Sequence, residues 1–98
     1  MADRVFTAAE RAYGFAARDP APRLAARFAA KEAAMKALGV GIGAIAWHDV
    51  EVVRADSGAP SLRVTGRAAQ LAADQGVRRW RVSLTHTDAA AEAIVITG

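Results

Sequence analysis

Residues 24–38 read LAARFAAKEAAMKAL, and this helical stretch limits what the chain can fold into more than any other. At about 100° per residue, Leu24, Phe28, Met35 and Leu38 fall on one stripe. Lys31 falls in the middle of that stripe, and Glu32 and Lys36 lie together along its edge. Gly39 follows at the position where helix C-termini favour glycine, so the helix is expected to stop there. Upstream, Asp19-Pro20-Ala21-Pro22 is a break, and the helix is expected to begin near Pro22, since proline is tolerated in a first turn. The chain must therefore bury one face of a long helix while accommodating an ammonium group on that face.

The remaining punctuation supplies the surfaces for that burial. Thr7-Ala8-Ala9-Glu10 is a capping-box pattern that predicts a helix from Thr7 to about Arg18, weakened by Gly14. Trp47 to Arg54 carries Val50, Val52 and Val53 and reads as a strand. Residues 55–60 form a turn by composition, and Ser61 to Thr65 alternates Leu62 and Val64 against Arg63 and Thr65, which completes a hairpin. Gly66 to Gln75 reads as a short helix. Arg79 to Thr85 alternates Trp80, Val82 and Leu84 against Arg79, Arg81, Ser83 and Thr85. Ala89 to Thr97 is apolar on both faces and is expected as a central strand. The order α, α, β, β, α, β, β predicts an α+β fold, and 98 residues suit a single domain, 1–98.

No apolar run approaches the roughly 18 residues of a membrane span, and the N-terminus has no signal-peptide pattern. The absence of cysteine excludes a disulfide framework and a Cys-based zinc site. A cytoplasmic, membrane-free protein is the expectation. Thirteen Lys+Arg against ten Asp+Glu give a net charge of +3, which favours an anionic partner. A nucleic acid is disfavoured: only six aromatics are present, and Trp80 sits on an apolar strand face, not on an arginine-flanked stacking platform.

Two constellations can carry chemistry. Glu32 and Lys36 are spaced i, i+4 in the favourable order for a helical ion pair, so a surface salt bridge beside a snorkelling Lys31 is one reading. The other starts from the surroundings. Arg23, Arg27 and Lys31 make an i, i+4, i+8 row of cations, and Gly39, Gly41 and Gly43 follow, where backbone can approach a ligand closely. One carboxylate among several cations beside a glycine-rich connection suits a phosphate held with a hard divalent cation such as magnesium. The second constellation is His86, at the end of its strand with Thr85 and Thr87 on either side as hydroxyl donors. It reads either as a packed strand-end residue or as part of a phosphate site. No nucleophile arrangement follows from spacing.

Arg27-Phe-Ala-Ala-Lys-Glu-Ala33 with Lys36, Ala37, Leu38 and Gly39 resembles the central motif of the holo-(acyl carrier protein) synthases, small 4′-phosphopantetheinyl transferases. Supporting matches run through the chain: Phe6-Thr7 with Glu10, Trp47 with Asp49-Val-Glu-Val52, Gly58 and Pro60 with Leu62-Arg-Val64, and Trp80 with Val82 to His86. The resemblance implies a family fold of helices on a mainly antiparallel sheet, typically homotrimeric with sites between subunits. It implies transfer of the 4′-phosphopantetheine arm of coenzyme A to a serine of an acyl carrier protein, releasing 3′,5′-ADP. Glu32 then maps onto a magnesium ligand and Lys36 onto a pyrophosphate contact that assists serine deprotonation. Lys31 faces the nucleotide or supports the site, and Gly39, Gly41, Gly43, His86 and Thr87 line the coenzyme A pocket. Arg11, Arg18 and Arg23 are candidate contacts for the acidic carrier protein.

The family also begins with a strand bearing a Gly-x-Asp motif, whose aspartate is the other magnesium ligand, followed by a helix. Met1-Ala-Asp-Arg-Val-Phe6 matches the stretch after both, and Asp3 lacks the motif context. A shortened start, or a catalytically degenerate relative that keeps the fold and coenzyme A binding, are the expectations this raises. A missing strand would also leave a sheet edge open to another chain.

Overall fold

A computed structural model describes residues 5–16, 20–40, 46–54, 56–86 and 91–98. Its elements are α1 (Ala8–Phe15), α2 (Pro20–Ala37), a 3-10 turn (Trp47–Asp49), β1 (Val50–Arg54), β2 (Pro60–Val64), α3 (Gly66–Asp74), β3 (Trp80–His86) and β4 (Ala91–Thr97). This is the expected α+β order. No helix among the described residues is long and apolar enough to cross a membrane.

The capping box forms as the sequence predicts: Thr7 Oγ1 accepts the Glu10 N–H at 3.2 Å and Glu10 Oε1 accepts the Thr7 N–H at 3.0 Å. Helix α1 ends at Phe15, with Ala16 as its C-cap, short of the expected Arg18. Gly14 has a packing reason: a Cβ there would lie 2.6 Å from Leu24 Cδ2, so the missing side chain lets α1 close onto α2. Helix α2 starts at Pro20, one turn's edge earlier than Pro22, both prolines being compatible with unpaired first-turn positions.

Helix α2 packs along β4 and β3 and against β1, and its buried side meets a core of Ala34, Met35, Leu38, Val50, Ala68 and Ala72. Leu24 and Phe28, expected on the same stripe, are half-buried, and Phe28 stacks on Trp47 with centroids 5.0 Å apart. Strands β1 and β2 form an antiparallel hairpin in which Val52 faces Leu62, and β3 and β4 form a second one in which Val82 faces Val95.

Two expectations fail. Trp47–Asp49 is a 3-10 turn, and the strand begins only at Val50. The turn aims the Asp49 carboxylate at the start of α3, where Oδ2 accepts the Arg67 N–H at 3.0 Å, a capping role a straight strand could not provide. And among the described residues β4 is not central: there it pairs with β3 alone, in a two-stranded sheet. Ile94 and Ile96, read as a second buried face, are 64% and 60% exposed.

Candidate functional site

Helix α2 sends neighbouring side chains to opposite fates. Lys31 turns inward and is completely buried. Its ammonium pairs with Glu10 Oε1 at 2.8 Å and donates to the carbonyls of Trp47, at 3.0 Å, and Val50. Those three acceptors use all three of its N–H bonds, and the Phe6 ring lies 5.9 Å away. Glu10, 1% exposed, also accepts the Val52 N–H through Oε2 at 2.8 Å. Burial lowers the Lys31 pKa below that of an ordinary lysine, while the hydrogen bond and charge of Glu10 act to raise it. This network ties together the N-cap of α1, the middle of α2, the 3-10 turn and β1. The expectation that Lys31 contacts the nucleotide is therefore corrected, because its ammonium has no bond left to give and no path to solvent.

Glu32 and Lys36 point outward into a recess of about 360 Å³ between α2 and β4, floored by Ala29, Ala33 and Ala93 and shared with Glu92. The Glu32–Lys36 salt bridge of the first reading does not form: Lys31–Glu10 is the ion pair among the described residues, and neither Glu32 nor Lys36 has a hydrogen-bonding partner there. A carboxylate left without partners, beside an ammonium in a solvent-open recess, is free to take a ligand. Among the described residues no three His, Cys, Asp or Glu cluster as a metal site. The carboxylates lining this recess are Glu32 and Glu92, and magnesium is a cation that takes one or two carboxylates and completes its shell with water and phosphate oxygens. Glu92 was missed in the sequence because its strand reads as an apolar run.

A second recess of about 360 Å³ opens near the N-terminal half of α2, lined by Tyr13, Arg23, Arg27, Arg54, Pro60 and Leu84. The guanidinium carbons of Arg23, Arg27 and Arg54 lie 4.3, 4.2 and 5.0 Å from the centroid of the single Tyr13 ring. Arg23 donates to the Tyr13 carbonyl at 3.0 Å, and Arg27 to the Arg23 carbonyl at 3.3 Å. No carboxylate forms an ion pair with any of the three among the described residues. Arg27 is only 4% exposed, its Nε has no hydrogen-bond partner, and burial lowers its pKa. The Tyr13 ring and the charge of Glu10 act on Arg27 against that burial, and three guanidinium groups on one aromatic face offer donors that an anion can use. The cation row of the sequence thus divides: Arg23 and Arg27 enter this cage and Lys31 goes to the core. Tyr13 and Arg54 gave no sequence signal, since they come from helix and strand positions far apart in the chain.

Gly39, at the end of α2, has φ +72°, the left-handed conformation that suits glycine there. His86 pairs in the backbone ladder with Ala91. Gly41, Gly43, Thr87 and Arg18 lie outside the described residues. Arg11, a candidate carrier contact, is half-buried with its Nε unpartnered, and Arg23 belongs to the arginine cage.

A long helix thus lies across antiparallel hairpins, with separate carboxylate and arginine recesses on its faces. Residues 1–95 match the model of the 4′-phosphopantetheinyl transferase superfamily, and the chain belongs to that family. It is 50% identical over 93 residues to holo-(acyl-carrier-protein) synthase of Moorella thermoacetica, covering 95% of this chain and 73% of that protein. It is also 50% identical to the enzyme of Clavibacter michiganensis, covering 99% and 76% of the two chains. Among solved structures it is similar to holo-(acyl-carrier-protein) synthase from Neisseria meningitidis, with a TM-score of 0.86 at 31% identity over 99% of this chain and 78% of that one. The Helicobacter pylori enzyme in complex with coenzyme A superposes with a TM-score of 0.83 at 25% identity, covering 98% and 79%.

Proposed function

We propose that the chain is a single-domain holo-(acyl carrier protein) synthase. It moves 4′-phosphopantetheine from coenzyme A to a serine of an acyl carrier protein. The serine oxygen forms a bond to the phosphorus carrying the pantetheine arm as the pyrophosphate P–O bond breaks, and 3′,5′-ADP leaves. Such a reaction needs charge neutralisation and alignment more than a protein nucleophile. The observation that carries this reading is the pair Glu32 and Lys36, one turn apart and unpaired over an open recess. Lys36 holds a pyrophosphate oxygen and assists removal of the serine proton. Glu32 holds magnesium, which when bound supplies positive charge against the pyrophosphate. The arginine cage around Tyr13 takes a further phosphate of coenzyme A, with Gly39, Gly41, Gly43, His86 and Thr87 lining the remainder of the pocket. The acidic carrier protein docks beside α1, with Arg11 and Arg18 as contacts.

The two recesses favour a site shared between copies. Arg27 and Glu32 are five residues apart, so they are separated by roughly 140° around α2 and about 7.5 Å along it. One coenzyme A reaching both within a chain would have to wrap the helix. A second copy offering its arginine cage to the first copy's Glu32 needs no such path. The exposed Ile94 and Ile96 face of β4 supplies apolar surface for that contact, and a homotrimer of this kind is the assembly we propose.

The test is isothermal titration of coenzyme A with and without magnesium, beside Glu32→Ala, followed by mass spectrometry of an apo carrier protein. Magnesium-dependent binding lost in the variant, and a carrier mass raised by one phosphopantetheine group, support the reading. Equal binding in all conditions with no transfer overturns it in favour of a degenerate relative.

A further inference from the structure

Helices α2 and α3 end in the same way, and the two ends are joined. At the first, the Gly39 N–H donates to the Lys36 carbonyl at 3.0 Å and the Val40 N–H to the Met35 carbonyl at 3.1 Å. At the second, the Gly76 N–H donates to the Ala73 carbonyl at 3.0 Å and the Val77 N–H to the Ala72 carbonyl at 2.8 Å. Both are Schellman closures with a left-handed glycine, φ +72° and +76°. They satisfy the carbonyls two and three residues inside each C-cap and leave the C-cap carbonyl itself without a partner from its own helix. At α2 that carbonyl belongs to Leu38, and Gln75, the C-cap residue of α3, donates its side-chain Nε2–H to it at 2.7 Å.

Gln75 is well placed to act as a fixed point. Its own N–H is bonded to the carbonyls of Leu71 and Ala72, the closure at Gly76 holds the backbone on its far side, and Val77 packs on the core. A helix C-terminus carries partial negative charge, and the Gln75 amide donor offsets it at the Leu38 carbonyl. Leu38 is the last residue before the glycine-rich connection, two residues beyond Lys36.

From this geometry we infer that Gln75 is a positioning residue for coenzyme A: it anchors the end of the site helix two residues beyond Lys36 and so fixes where Lys36 stands in its recess. The inference rests on the coenzyme A reading of the site. Gln75 touches no ligand, and its effect passes through the Leu38 carbonyl.

The test uses Gln75→Met, which keeps size and removes the donor, and Gln75→Lys, which restores a donor. Three readouts are taken on the full chain: melting temperature, amide hydrogen exchange at Gly39 and Val40, and the KM for coenzyme A against kcat. The expected result for Gln75→Met is ~3- to 10-fold faster exchange at the two amides and a KM raised ~3- to 10-fold with kcat within about twofold, the loss of one hydrogen bond. Gln75→Lys is expected to return both toward the parent. An unchanged KM in a Gln75→Met enzyme whose exchange has accelerated overturns the inference, as does unchanged exchange. If the parent itself neither binds coenzyme A nor transfers its arm, the functional reading fails with it, while the exchange result still decides whether Gln75 holds the helix end.

Discussion

Lys31 and Glu32 are adjacent in sequence and opposite in circumstance. Lys31 has every proton bonded inside the protein. Glu32 has no partner at all among the described residues and looks into a recess. A buried charge survives only when paired and hydrogen-bonded, and the pairing defines a unique geometry more than it adds stability. An unpaired charge at a recess contributes nothing to the fold and is available for a ligand. The contrast therefore separates structure from function within one helical turn, and it can be attacked from either side.

The largest effect is expected on the structural side. Lys31→Met strands the Glu10 carboxylate in the core, which should cost ~3–5 kcal/mol in unfolding free energy by chemical denaturation. Adding Glu10→Gln removes the stranded charge while keeping an acceptor for the Val52 N–H, and should recover at least about 2 kcal/mol of that loss. If the folded double variant binds coenzyme A as the parent does, Lys31 acts only as support. A single variant within about 1 kcal/mol of the parent would break the comparison, because Lys31 would then owe little to its partners.

Glu32→Gln is the reverse case. Stability should stay within ~0.5 kcal/mol, as for a surface change. Transfer to an apo carrier protein should fall by ~100-fold or more, since altering even an outer partner of a metal site commonly costs 10- to 100-fold. A stability loss comparable to that of Lys31→Met, with transfer intact, would make both residues structural. A third, smaller effect belongs to the arginine cage. Arg27→Met should weaken coenzyme A ~10- to 100-fold by titration, the range for a hydrogen bond to a charged group, while Arg63→Met on β2 should leave it within about twofold. Equal losses from both would mean that net charge is felt, and not the cage.

The sequence showed the framework and led to two residues that share one recess. The helical period of α2, its stop at Gly39, the capping box at Thr7 and the alternation of β3 are local, and each appears where its own residues imply. The central motif led to Glu32 and Lys36, and their recess is found. What could not be read depends on residues far apart in the chain. Glu10 looked like a cap and is also the counter-ion of Lys31 and an acceptor for β1, 42 residues away. Tyr13 gathers arginines from α2 and β1, a meeting no spacing encodes. The exposed face of β4 looked like core because period-two apolar residues have the same pattern whether they face a core or another chain.

The smallest effect decides which force governs Lys31. Burial lowers its folded pKa below the ordinary 10.5, against the pull of Glu10. In the alkaline window between that lowered value and 10.5, the unfolded chain keeps a proton that the folded chain has released. Stability rises with pH wherever the unfolded state binds more protons. The penalty for burying the ammonium is thus complete at neutral pH and shrinks as pH climbs toward 10.5. Comparing the parent with Lys31→Met cancels the other titrating groups to first order. The parent's advantage should widen over this window, by about 1.4 kcal/mol for every tenfold loss of proton affinity on folding. An advantage that narrows instead would mean that the Glu10 carboxylate outweighs desolvation and holds the proton on. The same buried pair would then be a net electrostatic gain, and its role in fixing the geometry of α2 would come without a cost in stability.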